Sequence, residues 1–354
     1  MEELYVIRRA DLPGLLERLG AIGDVYAPSY EDGVAVLSRV QAGSQDNVAW
    51  DFPKPAVPPK EMFFPHTERF LRFRREGKAV AVEPVDGVTP LVILGAKPCD
   101  MAAIDMVRRV MIEGRFTDQS FDRRRAMITA VTVACEEEGE YCFCSSLGQG
   151  PCSTRGSDLM LYPAGDTFYA VPLTANGERA VQAGGDLFRA AGTPELEEAK
   201  KRLEERFRGS PQAGAKLPAS ARLPAEAVRA ASRRMAADFD LPYWREASER
   251  CLGCGICTFL CPTCYCFSVV DRLRGSEGTR SRCWDACMFE GYAKMAGGHN
   301  PRPTKLERVR QRFMHKLVYN PERHGEVACA GCGRCVEKCP VGLHIACVVS
   351  DIAG

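Results

Sequence analysis

Two stretches decide how this chain is read. Cys251-Leu-Gly-Cys254-Gly-Ile-Cys257-Thr-Phe-Leu-Cys261-Pro262 is answered by Cys329-Ala-Gly-Cys332-Gly-Arg-Cys335-Val-Glu-Lys-Cys339-Pro340. Seven of twelve positions match: the four cysteines, two glycines and the proline. Both have the form C-x2-C-x2-C-x3-C-P, the run of bacterial ferredoxins. Three thiolates on one tight loop can grip three irons of a cubane, and the glycines let the backbone turn and bring N–H groups near the sulfurs. The fourth cysteine, followed by proline, points away and in two-cluster ferredoxins ligates the other cluster. The repeat therefore predicts one [4Fe-4S] on Cys251, Cys254, Cys257 and Cys339. The second takes Cys329, Cys332, Cys335 and Cys261.

Working outward, thirteen of the eighteen cysteines lie after Tyr243. The residues from 243 to 354 thus read as a cluster-bearing domain. Between the runs lie 67 residues, Pro262 to Ala328, in which Phe289–Met295 and Lys305–Leu317 carry helical periodicity. We expect a helical ferredoxin-like dicluster domain. Arg302, Lys305, Arg308, Arg310, Arg312 and Lys316 form a basic face that either tunes a buried anionic cluster or serves as a docking patch.

Residues 1–178 read as a mixed α/β domain, so the fold class is α+β. Glu3–Ile7, Val34–Leu37, Leu91–Leu94, Met127–Val133 and Phe168–Val171 read as strands, the second and third of them buried. Asp11–Leu19 reads as a helix capped by Asp11, and a second helix opens at Cys99. Five prolines between Asp51 and Pro65 mark an extended loop. Residues 179–242 hold helical segments at Pro194–Arg206 and Ala225–Met235, separated by a linker from Arg208 to Pro224.

Five cysteines precede the linker. Cys99 sits at a strand-to-helix junction, Cys135 ends a strand, and Cys142 and Cys144 follow. Strand ends converge on one edge of an open α/β sheet, where ligands bind. These four are the expected ligands of a third cluster, with Cys152 in reserve. Cys264, Cys266, Cys283 and Cys287 are candidates for a further site, the last two at the i, i+4 spacing of a helix. Buried structural thiols are the competing reading for both groups.

Composition excludes other classes. Hydrophobic residues make up 45% and charged residues 26%, with 47 basic against 46 acidic side chains and a net charge of +1. That is an ordinary globular balance without the basic excess of a nucleic-acid binder. No apolar run reaches the roughly 17–20 residues a membrane span needs. Arg8-Arg9 is followed by a charge and a proline rather than an apolar stretch, so the chain is expected in the cytoplasm. There cysteine serves metals rather than disulfides. Structural zinc pairs two cysteines from each of two knuckles, which two complete four-cysteine runs do not suggest; a zinc-bearing scaffold remains the alternative from a different class. Cys257, Cys261 and Cys264 also have the C-x3-C-x2-C spacing of radical enzymes, but too little chain follows for a barrel. No G-x-x-x-x-G-K-[ST], G-x-G-x-x-G or H-E-x-x-H occurs, and His315 and His344 read as core or surface residues.

The chain resembles the beta subunits of cytoplasmic sulfhydrogenases, [NiFe] hydrogenases coupled to NAD(P), together with the corresponding iron-sulfur subunit of anaerobic sulfite reductase. The resemblance rests on Lys97-Pro-Cys-Asp100, Cys142-Phe-Cys144-Ser-Ser-Leu-Gly-Gln-Gly-Pro151, Trp244, Cys261-Pro-Thr-Cys-Tyr-Cys266, Trp284-Asp-Ala-Cys287, Gly298-His-Asn-Pro-Arg-Pro303 and the second run through Gly342. Cys152, Cys283 and Cys347 fall outside the pattern. The resemblance implies a non-catalytic iron-sulfur subunit that relays electrons between a flavin, NAD(P)-binding subunit and a catalytic or relay subunit. A hydrogenase leads; sulfite reductase or another flavin-linked reductase is the alternative.

Overall fold

The structure, a computed structural model, describes residues 3–41, 48–50, 52, 54–85, 87–209, 215–217 and 223–354. Among the described residues twelve strands build two sheets. They are β1 (Tyr5–Arg8), β2 (Asp24–Glu31), β3 (Val34–Arg39), β4 (Thr67–Glu76), β5 (Ala79–Pro84), β6 (Leu91–Ala96), β7 (Ile128–Val133), β8 (Leu159–Ala164), β9 (Thr167–Pro172), β10 (Arg189–Ala190), β11 (Phe267–Arg274) and β12 (Glu277–Trp284). The first sheet has the order β10-β1-β9-β8-β7-β6-β2-β3. Its centre, β2, β6, β7 and β8, is parallel. The near-continuous apolar runs of β6 and β7 suit strands covered on both faces. One face packs against the helix Leu12–Leu19, which buries Leu12, Leu15, Leu16 and Leu19 at i, i+3, i+4, i+7. The other packs against Phe63, Phe64, Met101, Ile104 and Phe121.

The second sheet, β11-β12-β4-β5, is antiparallel and joins two distant stretches of chain. Glu68 on β4 meets Arg282 on β12 across a separation of 214 residues. A third core gathers Trp244, Val309, Phe313, Leu317 and Val348 around the helices Ala225–Ala237, Tyr243–Arg250, Lys305–Met314 and Ile345–Ala353. Among the described residues no helix is long and apolar enough to cross a membrane.

Several expectations change. The segment between the two runs opens with the hairpin β11–β12, which helical periodicity does not register. Cys283 accordingly lies on β12 and Cys287 in the loop after it, not on one helix. Phe289–Met295 holds a single 3-10 turn, Glu290–Ala293. Val34–Leu37 falls in β3, an edge strand that is only half-covered. Asp11 does not cap its helix, because its carboxylate turns back to Arg8 at 2.7 and 2.8 Å. A short helix, Lys60–Phe63, interrupts the proline-rich loop, whose Pro53 lies outside the described residues. Residues 210–214 and 218–222 of the expected linker lie outside them too.

Candidate metal centres

The first run leaves the helix Tyr243–Arg250 and turns at Gly253 and Gly255, with φ of +70° and +77°. Only glycine adopts such angles at little cost. The turn points the Gly253 N–H at Cys251 Sγ, 3.3 Å away. Cys251, Cys254 and Cys257 then line one pocket, and the fourth thiol on it is Cys339, from the other run. Leu252, Ile256, Met288, Val341 and Leu343 complete the wall, which is therefore apolar apart from its sulfurs.

The second run repeats the turn at Gly331 and Gly333, with φ of +64° and +76°. Cys329 and Cys332 are buried. The charge of Cys261, from the first run, acts on Cys329, Cys332 and Cys335 alike, and burial pushes all three thiols up. Cys339 thus lines the pocket of the first run, and Cys261 lies within electrostatic reach of the second-run thiols.

Two cations stand between these groups. Lys316 Nζ lies 3.3 Å from Cys261 Sγ and donates to Thr263 Oγ1 at 2.9 Å and the Ala328 carbonyl at 3.0 Å. Arg312 Nη2 donates to the Cys257 carbonyl at 3.3 Å. Its Nε and Nη1 are buried without a partner among the described residues. Burial alone would lower the pKa of both groups; negative charge on Cys261 and Cys264, joined by Cys257 and Cys335 at Arg312, raises it instead. Unpartnered buried guanidinium N–H groups are costly unless an anion completes the site. A [4Fe-4S] group on four thiolates is such an anion, so the donor set and its surroundings fit the group at both places. Of the basic face read from sequence, Arg312 and Lys316 point inward, while Lys305, Arg308 and Arg310 remain partly exposed.

The N-terminal thiols also converge. β6 and β7 are parallel neighbours, so their C-terminal ends deliver Cys99, in the first turn of the helix Pro98–Ile112, and Cys135 to the same edge. Cys142 and Cys144 reach that edge from the following loop, and all four line one pocket with Lys54 and Lys97. Burial pushes Cys135 up to about 11, against the pull of Lys97. This loop is seated on the second run. Phe143 N–H donates to the Gly331 carbonyl at 2.9 Å, and a Cβ on Gly331 would lie 2.4 Å from Cys144 Cα. Arg334, between Cys332 and Cys335 in sequence, forms a fully buried two-pronged pair with Asp100 at 2.5 and 2.9 Å. It also donates to the Pro55 carbonyl. Sequence reasoning missed this pair, although each partner adjoins a candidate ligand.

Residues 250–343 match a 4Fe-4S dicluster domain family. The whole chain is similar to sulfhydrogenase 2 subunit beta of Pyrococcus furiosus, at 30% identity over 346 residues, 96% of this chain and 95% of the relative. The chain belongs to the sulfhydrogenase beta-subunit family.

Outside the runs, this member of the sulfhydrogenase beta-subunit family brings together three of its four further candidates. Cys264 hydrogen-bonds Cys261 and neighbours Cys266, which is hydrogen-bonded to Cys287 and to the Tyr292 hydroxyl. These bonds, Cys287 first, lower the Cys266 pKa. Lys60 closes the group: its buried Nζ donates to the Phe259 and Cys264 carbonyls, both at 3.2 Å, and sits 3.8 Å over the Trp284 ring. Cys283 instead faces Thr67, whose Oγ1 donates to its sulfur at 3.7 Å. Cys152 donates to the Lys200 carbonyl at 3.9 Å and packs with Met160 and Leu196. Cys347 donates to the Gly342 carbonyl at 3.3 Å. His344 caps the last helix, its Nδ1 accepting from Cys347 N–H at 3.1 Å, and His315 shares a hydrogen bond with Tyr265.

Proposed function

We propose that the chain is the electron-relay subunit of a cytoplasmic hydrogenase-type complex, passing electrons between a flavin, NAD(P)-binding subunit and a catalytic or relay subunit. The observation that supports this reading is that Cys339, from the second run, lines the pocket of the first, while the charge of Cys261 reaches the second-run thiols. We assign one [4Fe-4S] to Cys251, Cys254, Cys257 and Cys339, and another to Cys329, Cys332, Cys335 and Cys261, on a helical ferredoxin-like scaffold within residues 243–354. A third is assigned to Cys99, Cys135, Cys142 and Cys144 of the α/β domain, residues 1–178, with residues 179–242, whose first part adds β10 to the same sheet, as the connection. Cys264, Cys266 and Cys287 are the core of a further site, with Cys283 at its margin.

Each such group supplies one-electron storage. The protein's own residues hold it and shape its surroundings. Thiolates anchor it, apolar walls exclude water, and Arg312, Lys316 and Lys60 supply positive charge that favours the reduced, more anionic state. The contact of the Cys142–Cys144 loop with the second run favours passage between the N-terminal pocket and the dicluster domain.

The test is Cys339→Ala in anaerobically reconstituted protein. It should remove the cluster held by the first run and leave the second-run signal intact by electron paramagnetic resonance. Loss of the second-run signal alone would reject the crossing. The intact chain should be reduced by dithionite yet stay oxidised with NAD(P)H until a flavin subunit is added; rapid reduction by NAD(P)H alone would reject the relay reading.

A further inference from the structure

The second sheet does more than brace the sites. Its base is fixed: buried Arg282 pairs with Glu68 at 2.5 Å and with Asp118, and Glu68 also holds Arg124 at 2.8 Å. Beyond that network the sheet runs out as an arm built from two hairpins. Along the arm β5 and β11 are the open edges and most side chains of both are exposed.

The arm does not look like a solvated surface. Pairing aligns Val82 with Phe73, Phe73 with Gly278, and Gly278 with Leu273, one row across all four strands. The Phe73 ring lies over Gly278, where a Cβ would sit 2.3 Å from it. Val82 is 58% exposed, Leu273 73%, and Val80, on the same face as Val82, 58%. The first four residues of the β5 edge, Ala79-Val80-Ala81-Val82, are uncharged, and charges of the kind that protect an open strand stand only at its two ends, Lys78 and Glu83. A contiguous exposed apolar row along an open edge marks an interaction surface.

Charge identifies what covers it. Residues 69–84 and 270–280 hold eight basic and four acidic side chains, a net of +4 on a chain whose total is +1. The ion pairs on the arm, Arg280 with Asp271 and Arg74 with Glu277, account for two of the eight. Arg69, Arg72, Lys78, Arg272 and Arg274 form no ion pair among the described residues. A second copy of this chain would set two +4 arms against each other, and like charges facing across an interface are unfavourable.

We infer that the arm formed by β4–β5 and β11–β12 docks a different protein subunit, one that presents acidic side chains around an apolar contact. The inference goes beyond the relay reading and holds whichever reductase the subunit serves. β11 begins directly after Cys266 and β12 ends at Trp284, so the arm springs from the Cys264, Cys266 and Cys287 group, while its apolar row lies toward the far end of the hairpins.

The experiment uses the complex purified from its native host through a tag on this chain. Hydrogen exchange at residues 69–84 and 270–280 is compared between the complex and the separately purified chain, and a zero-length carbodiimide cross-linker maps the neighbours of Lys78. Strong slowing of exchange in the complex, with Lys78 joined to a carboxylate of another subunit, is the expected result. A Val82→Glu/Leu273→Glu variant and an Arg72→Glu/Arg272→Glu variant should each lower recovery of that subunit about tenfold or more. Both should keep wild-type iron content and the Cys339-dependent signal, so failure here is distinct from failure of the relay. Unchanged exchange on the arm, cross-links between two copies of this chain, protection removed by nuclease, full recovery with both variants, or purification of the chain without any other subunit would each overturn the inference.

Discussion

The two cysteine runs share ligand spacing and glycine turns, yet they live in different places. In the first run Cys254 is exposed, Leu252 stands in solvent, and the residue after the second glycine, Ile256, lies at the surface. In the second run Cys329 and Cys332 are buried and the matching residue, Arg334, is among the most buried side chains of the protein. Gly253 faces open space, whereas Gly331 and Gly333 press on the backbone of Cys144 and Tyr141. The comparison teaches that a motif can specify how a group is held without specifying its place in a path. The second-run site is enclosed between the N-terminal pocket and the first-run site. The first-run pocket has an edge open to solvent.

The largest expected effect probes the matched positions Arg334 and Ile256. Removing one partner of a buried ion pair strands the other charge, at a cost of about 3–5 kcal/mol. Asp100→Ala should therefore destabilise the reconstituted protein by about that amount in anaerobic denaturant unfolding, while Ile256→Ala stays within about 1 kcal/mol. Equal costs would erase the contrast between the runs. The next effect compares glycines. Alanine at either Gly331 or Gly253 must adopt a left-handed backbone, worth about 1–2 kcal/mol. At Gly331 it must also displace the Cys144 backbone, adding about 1–3 kcal/mol of overpacking. Gly331→Ala should thus lose clearly more stability than Gly253→Ala, and it should disturb the N-terminal iron as well, read by metal analysis of each variant.

Much of this contrast was outside the reach of sequence reading. Ligand spacing is local, so both runs and the gathering of Cys99, Cys135, Cys142 and Cys144 at strand ends were legible. So were β6 and β7, whose apolar runs suit buried parallel strands. The arm was not, because β12 pairs with β4 across a separation that no periodicity encodes, and its exposed strands lack the alternation of a half-buried sheet. The Arg334–Asp100 pair was hidden for the same reason: each residue is ordinary in its own segment. Arg312 and Lys316 are a different case. Val309, Phe313 and Leu317 repeat at i, i+4, i+8, and Arg312 and Lys316 each immediately precede one of these apolar residues. That phase places both cations on the buried side of the helix, away from a purely solvated face. The clue was present, but charge composition outweighed phase in reading it.

The smallest expected effect uses that helix to separate the two sites electrically. Lys316 Nζ contacts Cys261 Sγ, the ligand we propose crosses to the second-run site, and its other partners are Thr263 and the Ala328 carbonyl beside Cys329. Arg312, by contrast, lies near thiols of both runs. Replacing a buried cation by an apolar side chain of similar length relieves its own desolvation, so Lys316→Met should change stability by less than about 2 kcal/mol. It also removes a hydrogen bond to a ligand sulfur and a positive charge that favours the reduced state. The second-run site should become harder to reduce, with its midpoint potential moving down, while the first-run site stays near its wild-type value. Arg312→Met should move both. A redox titration followed by electron paramagnetic resonance reads each site separately. Equal displacement of both by Lys316→Met would mean that the two runs share one electrostatic environment, and the enclosed-versus-open distinction would then rest on exposure alone.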